Sequence, residues 1–149
     1  MTKLICGLRT DDKLTNTFDD YLYCNAGFIG RVMRCSTTPG QHWIQNFMNP
    51  KGTAILKEGF YTNSHEFITS SNWRSLWLGA PYFQQIKPVT VYRDKNEDNV
   101  LDRKTEDTGL FGINIHRGGW GSFVDRWSAG CIVVPDKYWF KAISDFTPN

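Results

Sequence analysis

Gly112-Ile113-Asn114-Ile115-His116-Arg117-Gly118-Gly119 and, after a short loop, Ser128-Ala129-Gly130-Cys131-Ile132-Val133-Val134 are the passages on which the reading of this 149-residue chain turns. Each is a short apolar, β-branched run bounded by glycine or other small residues, which is the pattern of a strand and not of a helix. The first run ends in His116 and enters Gly118-Gly119. The second starts at Cys131, directly after Gly130. The two residues lie fifteen positions apart, a spacing that predicts adjacent strands. Both reactive side chains then emerge at strand ends beside flexible backbone, where another molecule can approach closely.

The same punctuation extends outward. Turn signals recur at Asn25-Ala26-Gly27, Thr38-Pro39-Gly40, Asn49-Pro50-Lys51-Gly52, Lys57-Glu58-Gly59 and Gly79-Ala80-Pro81. Between them, strands are expected over 4–8, 21–24, 28–35, 53–56, 89–92, 111–116 and 131–134, with the second and third forming a hairpin. Helix signals are sparse. Asp136 follows Pro135 as a possible cap, and Tyr138, Trp139, Ala142 and Ile143 give an apolar stripe. The segment 41–47 reads as a second short helix or a loop. The fold class expected is all-β or β-dominated, a single domain over 1–149 with one short C-terminal helix.

Composition narrows the function classes. Forty percent hydrophobic and 15% aromatic residues suit a globular core and argue against disorder. Seventeen basic against 15 acidic residues leave a net charge of +2, with no run of five Lys/Arg, so nucleic acid is not an expected partner. No stretch approaches the roughly 18–20 apolar residues of a membrane span. The first ten residues lack an apolar run of signal-peptide length, so synthesis in the cytoplasm is expected. Cys6, Cys24, Cys35 and Cys131 form no CxxC pair. Cys24 and Cys35 could pair across the hairpin, but buried free thiols are the expectation in a cytoplasmic product.

Cysteine chemistry requires a thiolate, which a neighbouring imidazole can generate. Cys131 and His116 are the candidate nucleophile and base. Gly130 leaves the approach to Cys131 open, and the N–H groups of Gly130 and Cys131 could form an oxyanion hole. The Ser128 hydroxyl could order the turn or touch substrate. A buried structural Cys and a hydrogen-bonded structural His are the plainer alternative.

Ile115-His116-Arg117-Gly118, a loop, then Ser128-Ala129-Gly130-Cys131 resembles the signature of L,D-transpeptidase (YkuD-like) catalytic domains, in the Ser-Ala-Gly-Cys form of small phage-type proteins. Thr37-Thr38-Pro39-Gly40 and Gly52-Thr53-Ala54-Ile55-Leu56, with Lys57-Glu58-Gly59-Phe60-Tyr61, resemble that family's strands and turns before its active site. The likeness covers roughly residues 18–135, and only the His-to-Cys stretch is specific. It implies a β-sandwich or barrel in which Cys131 attacks a carbonyl of a peptidoglycan stem peptide. The resulting thioester is released by an amine or by water. It also implies that the Arg117 carbonyl holds the far imidazole nitrogen, and that Ser128, Gly130 and Cys131 line the oxyanion site.

This chain departs from the family pattern in three ways. Ala129 stands in place of a second His, Val133 in place of a polar residue, and the His-to-Ser loop is shorter. Substrate choice and acceptor are what these changes put in doubt. Without an export signal, a phage lytic enzyme or delivered effector acting on the wall after release is the expected setting, with a lean towards hydrolysis. The rival is a non-catalytic phage structural or wall-binding module on the same scaffold; a third reading is a cysteine hydrolase of some other amide.

Arg117 and Arg126 are candidate ligands for stem-peptide carboxylates, or solvated surface residues. Trp120 and Trp127 form a peptide-stacking wall or anchor the loop. Asp94, Asn96, Asp98 and Asp102 alternate as in a calcium loop, but the sixth-position Gly is missing and Thr105 stands at the twelfth, so a polar connection between strands is the better reading. His42, His65, His116 and Cys131 show no zinc-ligand spacing. No cofactor is expected, and oligomeric state is open.

Overall fold

The computed structural model describes residues 3–27, 29–69 and 81–147. Ten strands among these form three sheets. The first sheet is an antiparallel meander of β1 (Leu4–Leu8), β2 (Asp20–Asn25) and β3 (Arg31–Cys35). The second has the order β10-β9-β6-β5, from β5 (His65–Ile68), β6 (Tyr82–Gln85), β9 (Ile115–Arg117) and β10 (Ile132–Val134). The third has the order β4-β7-β8, from β4 (Thr53–Leu56), β7 (Val89–Asp94) and β8 (Glu106–Gly109). All described pairs are antiparallel except β9–β10, which is parallel. Two short α-helices lie among the described residues, α1 (Gln41–Gln45) and α2 (Asp136–Ile143). The fold is β-dominated with a short C-terminal helix.

Alternation builds the core. In β2, Leu22 and Cys24 point inward while Tyr21 and Tyr23 are half-exposed, as a strand buried on one face requires. Leu22 joins Met33, Tyr82, Phe83, Ile115, Ile132 and Val134 in the main core, which α2 closes with Trp139, Ala142 and Ile143, and Phe146 just beyond it. The i, i+3, i+4 spacing of the three helical residues is why this segment makes an amphipathic helix. Asp136 in the first turn and Lys141 in the last also complement the helix dipole. Pro135, and not Asp136, occupies the cap position, and no side chain caps the helix. The Trp139 indole N–H donates to the Pro81 carbonyl at 3.1 Å, so burying that ring strands no polar group.

Several strand boundaries move. The third expected strand starts at Arg31, and its residue Phe28 lies outside the described residues, as do Gly79 and Ala80 of one expected turn. The segment expected as a strand over 111–116 is regular only from Ile115; side chains replace the ladder before that point. Cys131 sits one residue ahead of β10. Strands β5, β6 and β8 lack the β-branched pattern that would reveal them. Cys24 lies opposite Arg31 and Cys35 opposite Asp20, at the two ends of the β2–β3 hairpin, so the register keeps these buried thiols apart and free.

The Asp94–Asp102 region is the connection between β7 and β8. Its oxygens are turned onto backbone: Asp94 accepts from the N–H groups of Asn96 and Asp102, Asn96 from that of Asp98, and Asp98 from that of Val100. Among the described residues no three His, Cys, Asp or Glu side chains are placed to hold a metal. No helix among them is long and apolar enough to cross a membrane.

Candidate functional site

The parallel pair β9–β10 places Ile132 opposite Ile115, Val133 opposite His116 and Val134 opposite Arg117. Stepping back one residue sets Cys131 beside Asn114. Because side chains alternate, Cys131, Val133, Asn114 and His116 share one face of this pair. On the other edge of β10, Val133 exchanges both backbone hydrogen bonds with Ser36, at 2.8 and 3.0 Å, which joins the first sheet to the second. Val133 is fully buried in that ladder and cannot reach a substrate.

His116 is 1% exposed. Its Nδ1 lies 2.8 Å from the Arg117 carbonyl oxygen, so Nδ1 carries the proton and Nε2 a bare lone pair. Nε2 is buried and has no hydrogen-bond partner among the described residues. Burial pushes the imidazole down to about 4, opposed only by the Arg117 carbonyl, so the ring is neutral at physiological pH.

Cys131 is partly exposed, and its thiol donates to the Gly112 carbonyl at 3.3 Å instead of to His116. Burial pushes the thiol up to about 11, opposed by a hydrogen bond from the Asn114 backbone. Cys131 and His116 thus lie on neighbouring strands but are not hydrogen-bonded to each other. In the resting state they are thiol and neutral imidazole.

The turn before Cys131 is held from within. Ser128 Oγ donates to the Cys131 carbonyl at 2.6 Å and accepts the Gly130 N–H at 3.1 Å. The serine therefore orders the turn, and the Gly130 N–H is not free to serve an oxyanion. The Cys131 N–H donates to no group among the described residues and is the remaining donor. Gly130 does not leave open space: it has φ +135°, and an added Cβ would stand 2.5 Å from the Ala54 carbonyl oxygen. Only glycine lets this turn lie against β4.

The Gly118–Ser128 loop is pinned from outside. Asn16 accepts the N–H groups of Gln41 and Asp125 and donates to the Asp125 carboxylate, and the Trp43 indole donates to the Arg126 carbonyl. Trp127 lies over Gly119, where an added Cβ would come within 2.3 Å of Nε1, so this ring anchors the loop. Trp120 is 87% exposed and forms the free aromatic surface. Arg117 Nη1 lies 3.1 Å from the carboxylate of the buried Asp136, an ion pair, whereas Arg126 is exposed.

Three residues at the site went unassigned in the sequence: His65, Gln85 and Asn114. The available signal was Asn114 itself, a polar residue between two isoleucines on a buried strand. With this geometry in hand, comparison adds nothing by likeness. No protein-family model, curated protein or solved structure matches the chain.

Proposed function

We propose that the chain is a cysteine-dependent enzyme of peptidoglycan stem peptides, an L,D-peptidase or L,D-transpeptidase working through a thioester. The observation that carries the reading is His116: buried, neutral, its Nδ1 tied to a backbone carbonyl and its basic Nε2 without a partner among the described residues, on the strand beside the one that Cys131 precedes. A buried nitrogen left without a partner is costly, and sites tolerate that cost where the nitrogen has work to do.

On substrate binding the Cys131 thiol leaves the Gly112 carbonyl and gives its proton to His116 Nε2. The sulfur bonds to the amide carbon of the stem peptide, and the oxyanion meets the Cys131 N–H. The C–N bond then breaks as Nε2 returns the proton to the departing amine. Water releases the thioester in hydrolysis, and a second amine releases it in transpeptidation. The Arg117 carbonyl keeps the imidazole in the tautomer these steps need. Trp120 and Arg126 line the approach.

One feature favours a wall-binding module on the same scaffold instead, namely the thiol held neutral on Gly112 with no hydrogen bond to His116. Mass spectrometry of purified tetrapeptide muropeptides decides between the two. Incubation with the wild-type chain should remove the terminal residue, cleave a cross-link or exchange a residue, and Cys131→Ala should do none of these. Unchanged muropeptides with the wild-type chain under reducing conditions would overturn the enzyme reading.

A further inference from the structure

Strands β6 and β9 pair at a single position, Phe83 opposite Ile115. Two residues further along the register Gln85 faces Ile113, where an antiparallel ladder would continue. Side chains bridge the gap there. The Ile113 N–H goes to Gln85 Oε1 at 2.8 Å, the Ile113 carbonyl accepts from His65 Nε2 at 2.7 Å, and the Gln85 N–H goes to Asn114 Oδ1 at 3.0 Å. Gln85 is 5% exposed and uses its full capacity: Oε1 also takes the Phe111 N–H, and Nε2 donates to the carbonyls of Lys87 and Gly109. His65 is fixed in turn by Ser64 Oγ, 2.9 Å from its Nδ1.

The segment gripped in this way contains Gly112, whose carbonyl holds the Cys131 thiol, and Asn114, which stands beside Cys131 in the parallel register. Gly112 has φ +72°, and an added Cβ there meets nothing within 4 Å. Its conformation therefore follows from the hydrogen bonds on either side and not from packing on the residue itself.

We infer that His65, Gln85 and Asn114 are positioning residues for Cys131. By holding β6 and β9 a side chain's width apart they set the Gly112 carbonyl, and through it the choice of the thiol between that carbonyl and His116. This rests on the cysteine reading above. None of the three touches the reacting atoms as a catalytic group would.

The test is the labelling rate of Cys131 by iodoacetamide between pH 5 and 10, read by peptide mass spectrometry so that the other thiols are separated. His65→Leu removes the donor to Ile113. It should change the rate at neutral pH roughly tenfold or more and displace the pH midpoint by about one unit, the equivalent of a tenfold change in an equilibrium. His65→Gln, whose amide N–H can reach the same carbonyl, should stay within roughly threefold of wild type. Leu101→Ala, which loosens a separate core cluster, should leave the profile in place. A folded His65→Leu chain with the wild-type profile would overturn the inference. If that variant does not fold, Asn114→Ser carries the same expectation and the same refutation. Tetrapeptide muropeptides left unchanged by the wild-type chain would remove the enzyme reading, while the ratio of labelling rates between variant and wild type would still report on positioning.

Discussion

Two histidines on one sheet differ in how many of their ring nitrogens are engaged, and so separate a holding half of the candidate site from the half proposed to act. His65 and His116 are both largely buried, and burial lowers both from the usual imidazole value. His65 has each nitrogen engaged, Nδ1 with Ser64 and Nε2 with the Ile113 carbonyl. His116 has one engaged and one left over. Burial alone therefore does not tell these two histidines apart; the count of engaged nitrogens among the described residues does.

Substitution offers the largest way to break this contrast. His116→Ala should lower muropeptide turnover by roughly a hundredfold or more, the usual scale of general acid–base catalysis. His65→Gln should keep most of the turnover. Steady-state assays of the two variants test the contrast, and equal losses would collapse it.

Acid comes next. The unfolded chain protonates His116 more readily than the native chain does, so the stability its neutral form provides is full above about pH 6.5. It is lost as pH falls through about 4, and amounts to about 3 kcal/mol. Urea unfolding across that range should show the loss, and His116→Gln should flatten it. His65 is lowered in the same direction, so some slope should survive in that variant.

The holding half should show up in stability. His65→Leu leaves the Ile113 carbonyl without its donor and should cost about 1–3 kcal/mol in urea unfolding. Ser128→Ala removes the acceptor for Gly130 and the donor to Cys131, and should cost about 1–2 kcal/mol with a fall in turnover. Trp120→Ala should stay within about 0.5 kcal/mol of wild type, because the ring touches little, yet raise KM if it contacts the stem peptide. Unfolding curves and KM values for these variants give the order directly.

The two halves were unequally legible in the sequence. β1 and β4 match their expected bounds because alternation and turn residues mark them. The strand class, the C-terminal helix and the adjacency of the His116 and Cys131 runs all follow from local pattern. Chemistry at His116 and Cys131 remains the proposal made above, but the adjacency of their two strands was readable from spacing. The holding half was not. Gln85 in Tyr82-Phe83-Gln84-Gln85 and His65 beside Glu66 look like surface residues, since nothing local says that each will satisfy backbone from another strand. The same blindness hides the close packing of Gly130, which reads as open space until β4 is brought against it, and the ion pair of Arg117 with Asp136, which arrives with α2. Long-range polar pairing has no period, so it leaves no signature in a single chain.

The bridge between Ser36 and Val133 carries a consequence for biosynthesis. The strand that follows the nucleophile is stitched on one side to a residue from the first quarter of the chain and on the other to β9. Closing so long a loop costs entropy before any contact rewards it, so this strand docks late in folding. A chain still leaving the ribosome lacks the strand pairing that fixes the backbone next to Cys131 until β10 has been made. Whatever reactivity Cys131 has matures only then, which shields partly made chains from untimely chemistry.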